Sequence, residues 1–169
     1  MSTTIIEFEV LASTSDYLKE NHPYLNHLTF VRSNYQSAGR GQFDRTWESE
    51  EGVNLLTSLL LKETGDLDIH DIKNKILHAL IKTLSDYNVH ARYKAPNDLY
   101  VGTKKICGIL IETQMKAGQL QYVICGIGLN VNQVRFEAPN AISMRLLNNQ
   151  TYDIKKLFEN LIGHITSVL

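Results

Sequence analysis

Four short stretches of this 169-residue chain bring together residue types that chemistry can use. The first is Gly39-Arg40-Gly41-Gln42-Phe43-Asp44-Arg45-Thr46-Trp47. Paired glycines let backbone N–H groups approach an anion, and Arg40 adds a fork that grips carboxylate or phosphate through two hydrogen bonds. Trp47 closes the loop with a flat apolar face suited to a ring or an alkyl chain. The spacing is not a P-loop, and Asp44 stands where a dinucleotide fingerprint needs its third glycine. The second stretch is Lys94-Ala95-Pro96-Asn97-Asp98, with Lys105 seven residues beyond Asp98. Taken alone it reads as a strand-end turn, although Asn97 and Asp98 can also orient a ligand or a lysine. The third runs from Lys105 to Glu112, where Gly108 interrupts a strand-like apolar run. A glycine there marks close approach of a ligand or of another backbone, and Lys105 sits at the start of that approach. The fourth is Gly126-Ile127-Gly128-Leu129-Asn130-Val131-Asn132. Its alternating small residues leave room for a flat group, and the Asn130 amide can both donate and accept, as the edge of a base requires.

The elements around these stretches read as a mixture of strands and helices. Ile5 to Leu11 predicts a strand, and Ser13-Thr14-Ser15-Asp16 supplies the cap of a helix through about Asn21. Leu28 to Ser33 is a second strand, and Asn34 to Gly52 a loop too long to be a plain connection. Val53 to Leu61 has strand length, though its period leaves a helix open. Ile69, Ile72, Ile76, Leu80, Leu84 and Tyr87 paint one face of a helix. A strand from Val89 to Tyr93 is broken at Pro96. Leu99 to Val101 and Lys105 to Thr113 flank the turn Gly102-Thr103, and Gly118 marks the turn into Leu120 to Leu129. A final helix begins at about Asp153. Helices that segregate among hairpin-linked strands predict an α+β fold with a mixed, largely antiparallel sheet and flanking helices.

Composition narrows the function classes. Apolar residues at 43% are enough for a core, and 17 basic against 18 acidic residues give a net charge of −1. That balance argues against a surface built to grip nucleic acid. No apolar run reaches the roughly 20 residues that span a bilayer, and no basic residue precedes the first apolar stretch. A cytoplasmic protein with no membrane partner is therefore expected. Cys107 and Cys125 lie in apolar runs and read as buried thiols, and six histidines form no pair at zinc-binding spacing. No resident metal site is expected. The charge is uneven: Arg32 to Arg45 holds three cations and one anion, Arg92 to Lys105 four cations and one anion, and the remainder is acidic. No repeat or linker marks a domain boundary, so residues 1–169 are expected to form one domain.

In this order the four stretches, with Ser13-Thr14 ahead of them, resemble the catalytic domain of biotin protein ligases. That family shows a Ser-Thr pair, a GRG loop ending in Trp, a K-W-P-N-D turn, a lysine-led strand with a small residue before Gly, and G-I-G-x-N-V-N. The resemblance covers about Leu11 to Asn132. It implies the fold shared by class II aminoacyl-tRNA synthetases and biotin synthetases, and a two-step reaction. Biotin and Mg-ATP would give biotinyl-5′-adenylate, whose acyl group passes to one lysine of a biotin carboxyl carrier protein. By position, Ser13, Thr14, Ser15 and Gln36 would bind the ureido ring, with Gly39, Arg40, Gly41, Gln42, Lys105, Gly108 and Leu110 completing the biotin pocket. Arg40, Trp47, Asn97, Lys105, Asn130 and Asn132 would meet ATP or the adenylate. Lys105, Arg40 and Asp98 would carry the catalysis, Asp98 either orienting Lys105 or helping to hold Mg²⁺. Many family members dimerise through sheet edges, and a homodimer is compatible with the resemblance.

The chain also departs from the pattern. Gln42 stands where the family often has Arg, Asp44 at a frequent glycine position, and Ala95 in place of the usual Trp. If the Asp44 site needs a positive φ, Asp tolerates it less well than Gly. The N-terminal DNA-binding winged helix and the small C-terminal barrel of larger members are expected to be absent from residues 1–169. Two alternatives stand beside the ligase: a lipoate or octanoate ligase of the same fold, and a non-catalytic biotin-binding domain. For Gln42, either Arg40 and Lys105 suffice or the intermediate is held less tightly. If it is held less tightly, a Gln42→Arg variant releases the adenylate more slowly in a dissociation assay, and an unchanged rate selects the first option.

Overall fold

The computed structural model describes residues 2–43, 45–62, 64–65 and 67–169; Asp44 lies outside them. The strands are β1 (Thr4–Leu11), β2 (Thr29–Gln36), β3 (Leu55–Leu61), β4 (Arg92–Lys94), β5 (Asp98–Val101), β6 (Lys104–Lys116) and β7 (Gln119–Leu129). They form a seven-stranded sheet in the order β1-β2-β3-β7-β6-β5-β4. β1 and β2 are parallel, whereas β2-β3 and β4-β5-β6 pair antiparallel. The helices are α1 (Thr14–Asn21), α2 (Ile69–Asp86), α3 (Met144–Asn148) and α4 (Ile154–Val168). This is the mixed, largely antiparallel α+β sheet with helices that the sequence predicts. Among the described residues no helix is long and apolar enough to cross a membrane.

The chain divides into two compact units, Met1–Asp66 with Ile109–Gly128, and Leu67–Gly108 with Leu129–Leu169. No shift in composition marks that division. In the first unit, Leu18 of α1 packs with Val31, Leu60, Tyr122 and Ile124 in a buried cluster. Ser13 caps α1, its side chain accepting from the Asp16 N–H at 3.3 Å. β2 runs three residues further than expected, to Gln36, because β1 pairs with it as far as Leu11↔Gln36. The loop expected from Asn34 therefore begins later. β6 and β7 join through Ala117 and Gly118, both at positive φ, the geometry of a tight hairpin turn whose twist matches the strands.

In the second unit, α2 and α4 pack on each other. Ile72, Ile76, Leu80 and Leu84 of α2 and Leu157, Leu161 and Ile165 of α4 are buried, as the 3.6-residue period requires. Asp68 and Asp153 cap the two helices. β4 begins at Arg92 rather than Val89: Val89 is buried in the turn after α2, where its N–H bonds the Leu84 carbonyl. The α3 helix was not legible in the sequence, since five residues are too short to show a period. Both cysteines are buried, and burial pushes the Cys125 thiol up to about 12, which leaves it inert as a nucleophile.

A polar tie links the two packed helices. Asp86 of α2 meets His164 Nε2 at 2.7 Å, Asn160 Nδ2 at 3.4 Å and Lys82 Nζ at 3.5 Å. The His164 hydrogen bond, with smaller help from Asn160 and Lys82, holds the Asp86 carboxyl below its ordinary value of 3.8. A depressed carboxylate stabilises the fold above its unfolded pKa and loses that contribution as pH falls through the folded value. Asp86→Asn is expected to lower the Tm at pH 7, and the difference from the parent to close as pH falls through the depressed value.

Candidate active site

At the N-terminus of α1, four polar side chains converge in the first unit. Gln36 Oε1 accepts from the Thr14 backbone N–H at 2.8 Å and from Thr14 Oγ1 at 3.0 Å. Ser58 Oγ lies 2.7 Å from Thr14 Oγ1 and 2.8 Å from Ser15 Oγ. Ser13, Thr14, Ser15 and Ser58 are all buried. β7 makes room for them, because a Cβ on Gly126 would stand 2.7 Å from Ser15 Oγ and 3.6 Å from Leu110 Cβ. The expected residues Ser13, Thr14, Ser15, Gln36 and Leu110 thus lie together. Ser58 was not singled out in the sequence. Its signal was a hydroxyl pair, Thr57-Ser58, inside the run Leu55 to Leu61, with Ser58 on the strand face that Leu60 shares.

The Gly39–Trp47 loop folds on itself as a small hairpin. Arg40 and Thr46 form an isolated antiparallel bridge, Gly41 N–H donates to Arg45 O at 2.7 Å, and Trp47 N–H donates to Gly39 O at 2.9 Å. The Gly41 N–H is therefore engaged within the loop. A Cβ on Gly39 would lie 3.1 Å from Trp47 O, and one on Gly41 3.3 Å from Arg45 O, so both glycines serve the close approach of the loop's own strands. Gln42 lies half-buried in the turn, its carbonyl accepting the Arg45 N–H. Arg40 reaches out of the hairpin to two carboxylates: Nη1 to Asp16 at 2.6 Å, and Nη1 and Nη2 to Glu112 at 3.1 and 2.9 Å. The Glu112 hydrogen bond is the main cause of a raised Arg40 pKa, with desolvation opposing it. The flat group that the small residues of β7 admit is the indole of Trp47. A Cβ on Gly128 would stand 2.4 Å from Trp47 Cε2.

The second unit holds the lysine. In an unbroken antiparallel ladder, pairing Asp98 with Gly108 would set Lys105 opposite Val101, on the face away from Asp98. Instead Leu99 pairs with Cys107 and Tyr100 with Lys105, so Ile106 is passed over as a bulge. That extra residue turns Lys105 onto the face of Asp98, and Lys105 Nζ reaches Asp98 Oδ1 at 2.8 Å. The lysine backbone is pinned as well: its N–H donates to Asn140 O at 2.7 Å, and its carbonyl accepts from Ile142 N at 2.9 Å. Asn97 lies in the turn ahead of β5, whose Ala95–Pro96 peptide is cis. Gly108 faces Asp98 across the ladder.

Two asparagines follow β7. Asn130 Nδ2 donates to Ile142 O at 3.0 Å, while its Oδ1 is buried and has no hydrogen-bond partner among the described residues. A buried acceptor without a partner is costly, and a ligand's N–H is one way to satisfy it. Asn132 differs: Nδ2 donates to Tyr152 O at 2.8 Å and Oδ1 accepts from Tyr152 N at 2.9 Å. Both ends of its amide tie down the segment ahead of α4.

Over residues 7–130 the chain matches the biotin/lipoate A/B protein ligase family. It belongs to that family. The matched span includes the α1 hydroxyls, the Gly39–Trp47 loop, Asp98, Lys105 and Asn130. Among relatives, the chain is 32% identical over 150 residues to the bifunctional ligase/repressor BirA of Bacillus subtilis (strain 168), an overlap of 84% of this chain and 45% of that protein. BirA of Escherichia coli (strain K12) is 32% identical over 132 residues, 76% of this chain and 40% of that protein. The chain thus spans less than half the length of these two relatives. Among solved structures, the biotin protein ligase from Aquifex aeolicus in complex with biotin and ATP superposes with a TM-score of 0.85 at 25% identity, covering 98% of this chain and 70% of that one.

The contact of Trp47 with Gly128 yields a direct test, since Trp47 is the one tryptophan in the chain. Gly128→Ala is expected to push the indole off β7 and shift its fluorescence emission to the red; an unshifted spectrum would contradict the packing.

Proposed function

We propose that this domain activates biotin with ATP and transfers it to a lysine of a biotin carboxyl carrier protein. The observation that carries this reading is the set of buried Ser13, Thr14 and Ser15 with half-buried Gln36, beside Gly126 and Leu110. A cyclic urea has two N–H donors and one carbonyl to meet the lone pairs and hydrogens that this set does not spend on itself; the dithiolane of lipoate has neither, and would leave them unanswered. The names of the relatives, and of the Aquifex complex with biotin and ATP, support the same choice within the family.

In the first step a biotin carboxylate oxygen attacks the α-phosphorus of ATP, forming a P–O bond as the bond to pyrophosphate breaks. The difficulty is to bring two anions together. At 4 Å each unit of like charge opposes the approach by about 4 kcal/mol at an effective dielectric of 20. Lys105 supplies the counter-charge, and Asp98 holds its ammonium in one direction. The mixed anhydride then meets the acceptor amine, whose nitrogen attacks the acyl carbon and releases AMP. A free lysine near pKa 10.4 must lose a proton first, and the Asp98 carboxylate is the candidate acceptor for it. Arg40 serves by fixing the stem of the Gly39–Trp47 hairpin through Asp16 and Glu112; direct contact with a phosphate would require it to exchange one of these partners. Trp47 contacts the adenylate, and Asn130 Oδ1 accepts an N–H of the nucleotide. Mg²⁺ would be carried by the triphosphate, shielding its charge. Among the described residues no group of three His, Cys, Asp or Glu side chains could hold it, and Asp98 is engaged with Lys105. The reaction is assigned to the cytoplasm, with no nucleic-acid partner.

The test is exchange of labelled pyrophosphate into ATP. Biotin is expected to support exchange and lipoate to fail; exchange driven by lipoate alone would overturn the choice of substrate. Lys105→Ala is expected to abolish exchange while biotin binding, measured by calorimetry, stays within a few-fold of the parent. Exchange at the parental rate would remove Lys105 from the reaction.

A further inference from the structure

Donor and acceptor chemistry fixes the direction of every hydrogen in the side-chain network at α1. A backbone N–H can only donate, so the Gln36 atom facing Thr14 N is the carbonyl oxygen, and that oxygen can only accept. Thr14 Oγ1, also bonded to it, must give its single hydrogen to Gln36. Having none left, Thr14 Oγ1 accepts across its 2.7 Å contact with Ser58, and Ser58 is the donor. Ser58 has then used its own hydrogen, so across the 2.8 Å contact Ser15 donates to it. The network is a one-way chain: Ser15 to Ser58 to Thr14 to Gln36.

We infer that Ser58 is a positioning residue that sets the hydrogen-bond polarity of the substrate pocket, a role that rests on the biotin reading above. With the chain running this way, Ser15 and Thr14 have only lone pairs to offer a ligand. Gln36 has both lone pairs of its oxygen engaged and offers the hydrogens of Nε2. Ser13, whose oxygen accepts the Asp16 N–H as the helix cap, keeps its hydrogen. The pocket therefore presents acceptors to a ligand's N–H groups and donors to its carbonyl, the pattern of a urea and the reverse of what two adjacent acceptors would need. Ser58 is fully buried on β3 opposite Val31 and offers a ligand no hydrogen of its own. Its effect comes through the two hydroxyls it orients. Freed from Ser58, the Ser15 hydrogen can rotate toward the ligand and oppose an incoming N–H.

The test is calorimetric binding of biotin, of desthiobiotin, which keeps the urea, and of a biotin methylated on its ureido nitrogens, to the parent, Ser58→Ala and Ser58→Cys. Cysteine fills the space of serine but hydrogen-bonds weakly, so it separates polarity from packing and stands in should the alanine variant be unstable. Both variants are expected to bind biotin and desthiobiotin about tenfold more weakly, and the methylated analogue with little change, so that discrimination between biotin and the analogue shrinks. The KM for ATP in pyrophosphate exchange is expected to stay within about twofold. Parental affinity for biotin in Ser58→Cys, or an equal loss for biotin and the methylated analogue, would overturn the inference. A parent that binds no biotin would instead overturn the function on which it rests.

Discussion

Side chains on a strand alternate between faces, so a single residue decides which groups can meet. In this protein that residue is Ile106. Passed over in the β5-β6 ladder, it turns Lys105 from the face away from Asp98 to the face of Asp98, and a 2.8 Å ion pair results. Without the bulge the same sequence would hold an ammonium and a carboxylate on opposite sides of the sheet. The anchoring of the Lys105 backbone to Asn140 and Ile142 fixes where the turned side chain begins, so its direction depends on the strand and not on the freedom of a long lysine.

The first unit obeys a related constraint, that of space. Ser15 and the Trp47 indole occupy positions that Cβ atoms on Gly126 and Gly128 would fill. The glycines of the Gly39–Trp47 hairpin act likewise, admitting that hairpin's own carbonyls. Glycine here allows protein to approach protein. The ion pairs of Arg40 with Asp16 and Glu112 then tie the hairpin to α1 and β6.

Much of this was legible in the sequence and some was not, for definite reasons. The caps, the apolar period of α2 and α4 and the hairpin turns are local properties, and the elements follow from them. The motifs Ser13-Thr14, Gly39 to Trp47 and Lys105 to Glu112 were recognisable because residue type and order carry their chemistry. Pairing register is not local, so neither the Ile106 bulge nor the reach of β2 to Gln36 could be read. Ser58 was hidden in an apolar run, and its partners come from 43 and 44 residues away. Charge counted by window misled in a similar way: Arg32 and Arg40 raise the local count, yet their partners Glu7, Asp16 and Glu112 lie outside that window. Asn132 reads as a ligand contact by motif, whereas its amide holds the backbone of Tyr152.

On the function proposed above, these groups perform chemistry on biotin and do not merely hold it. Mass spectrometry of the small molecules released from the denatured protein, after incubation with biotin and Mg-ATP, separates the two. Biotinyl-5′-adenylate together with pyrophosphate is the expected result. Bound biotin with intact ATP and no adenylate would contradict it and make the domain a binding module.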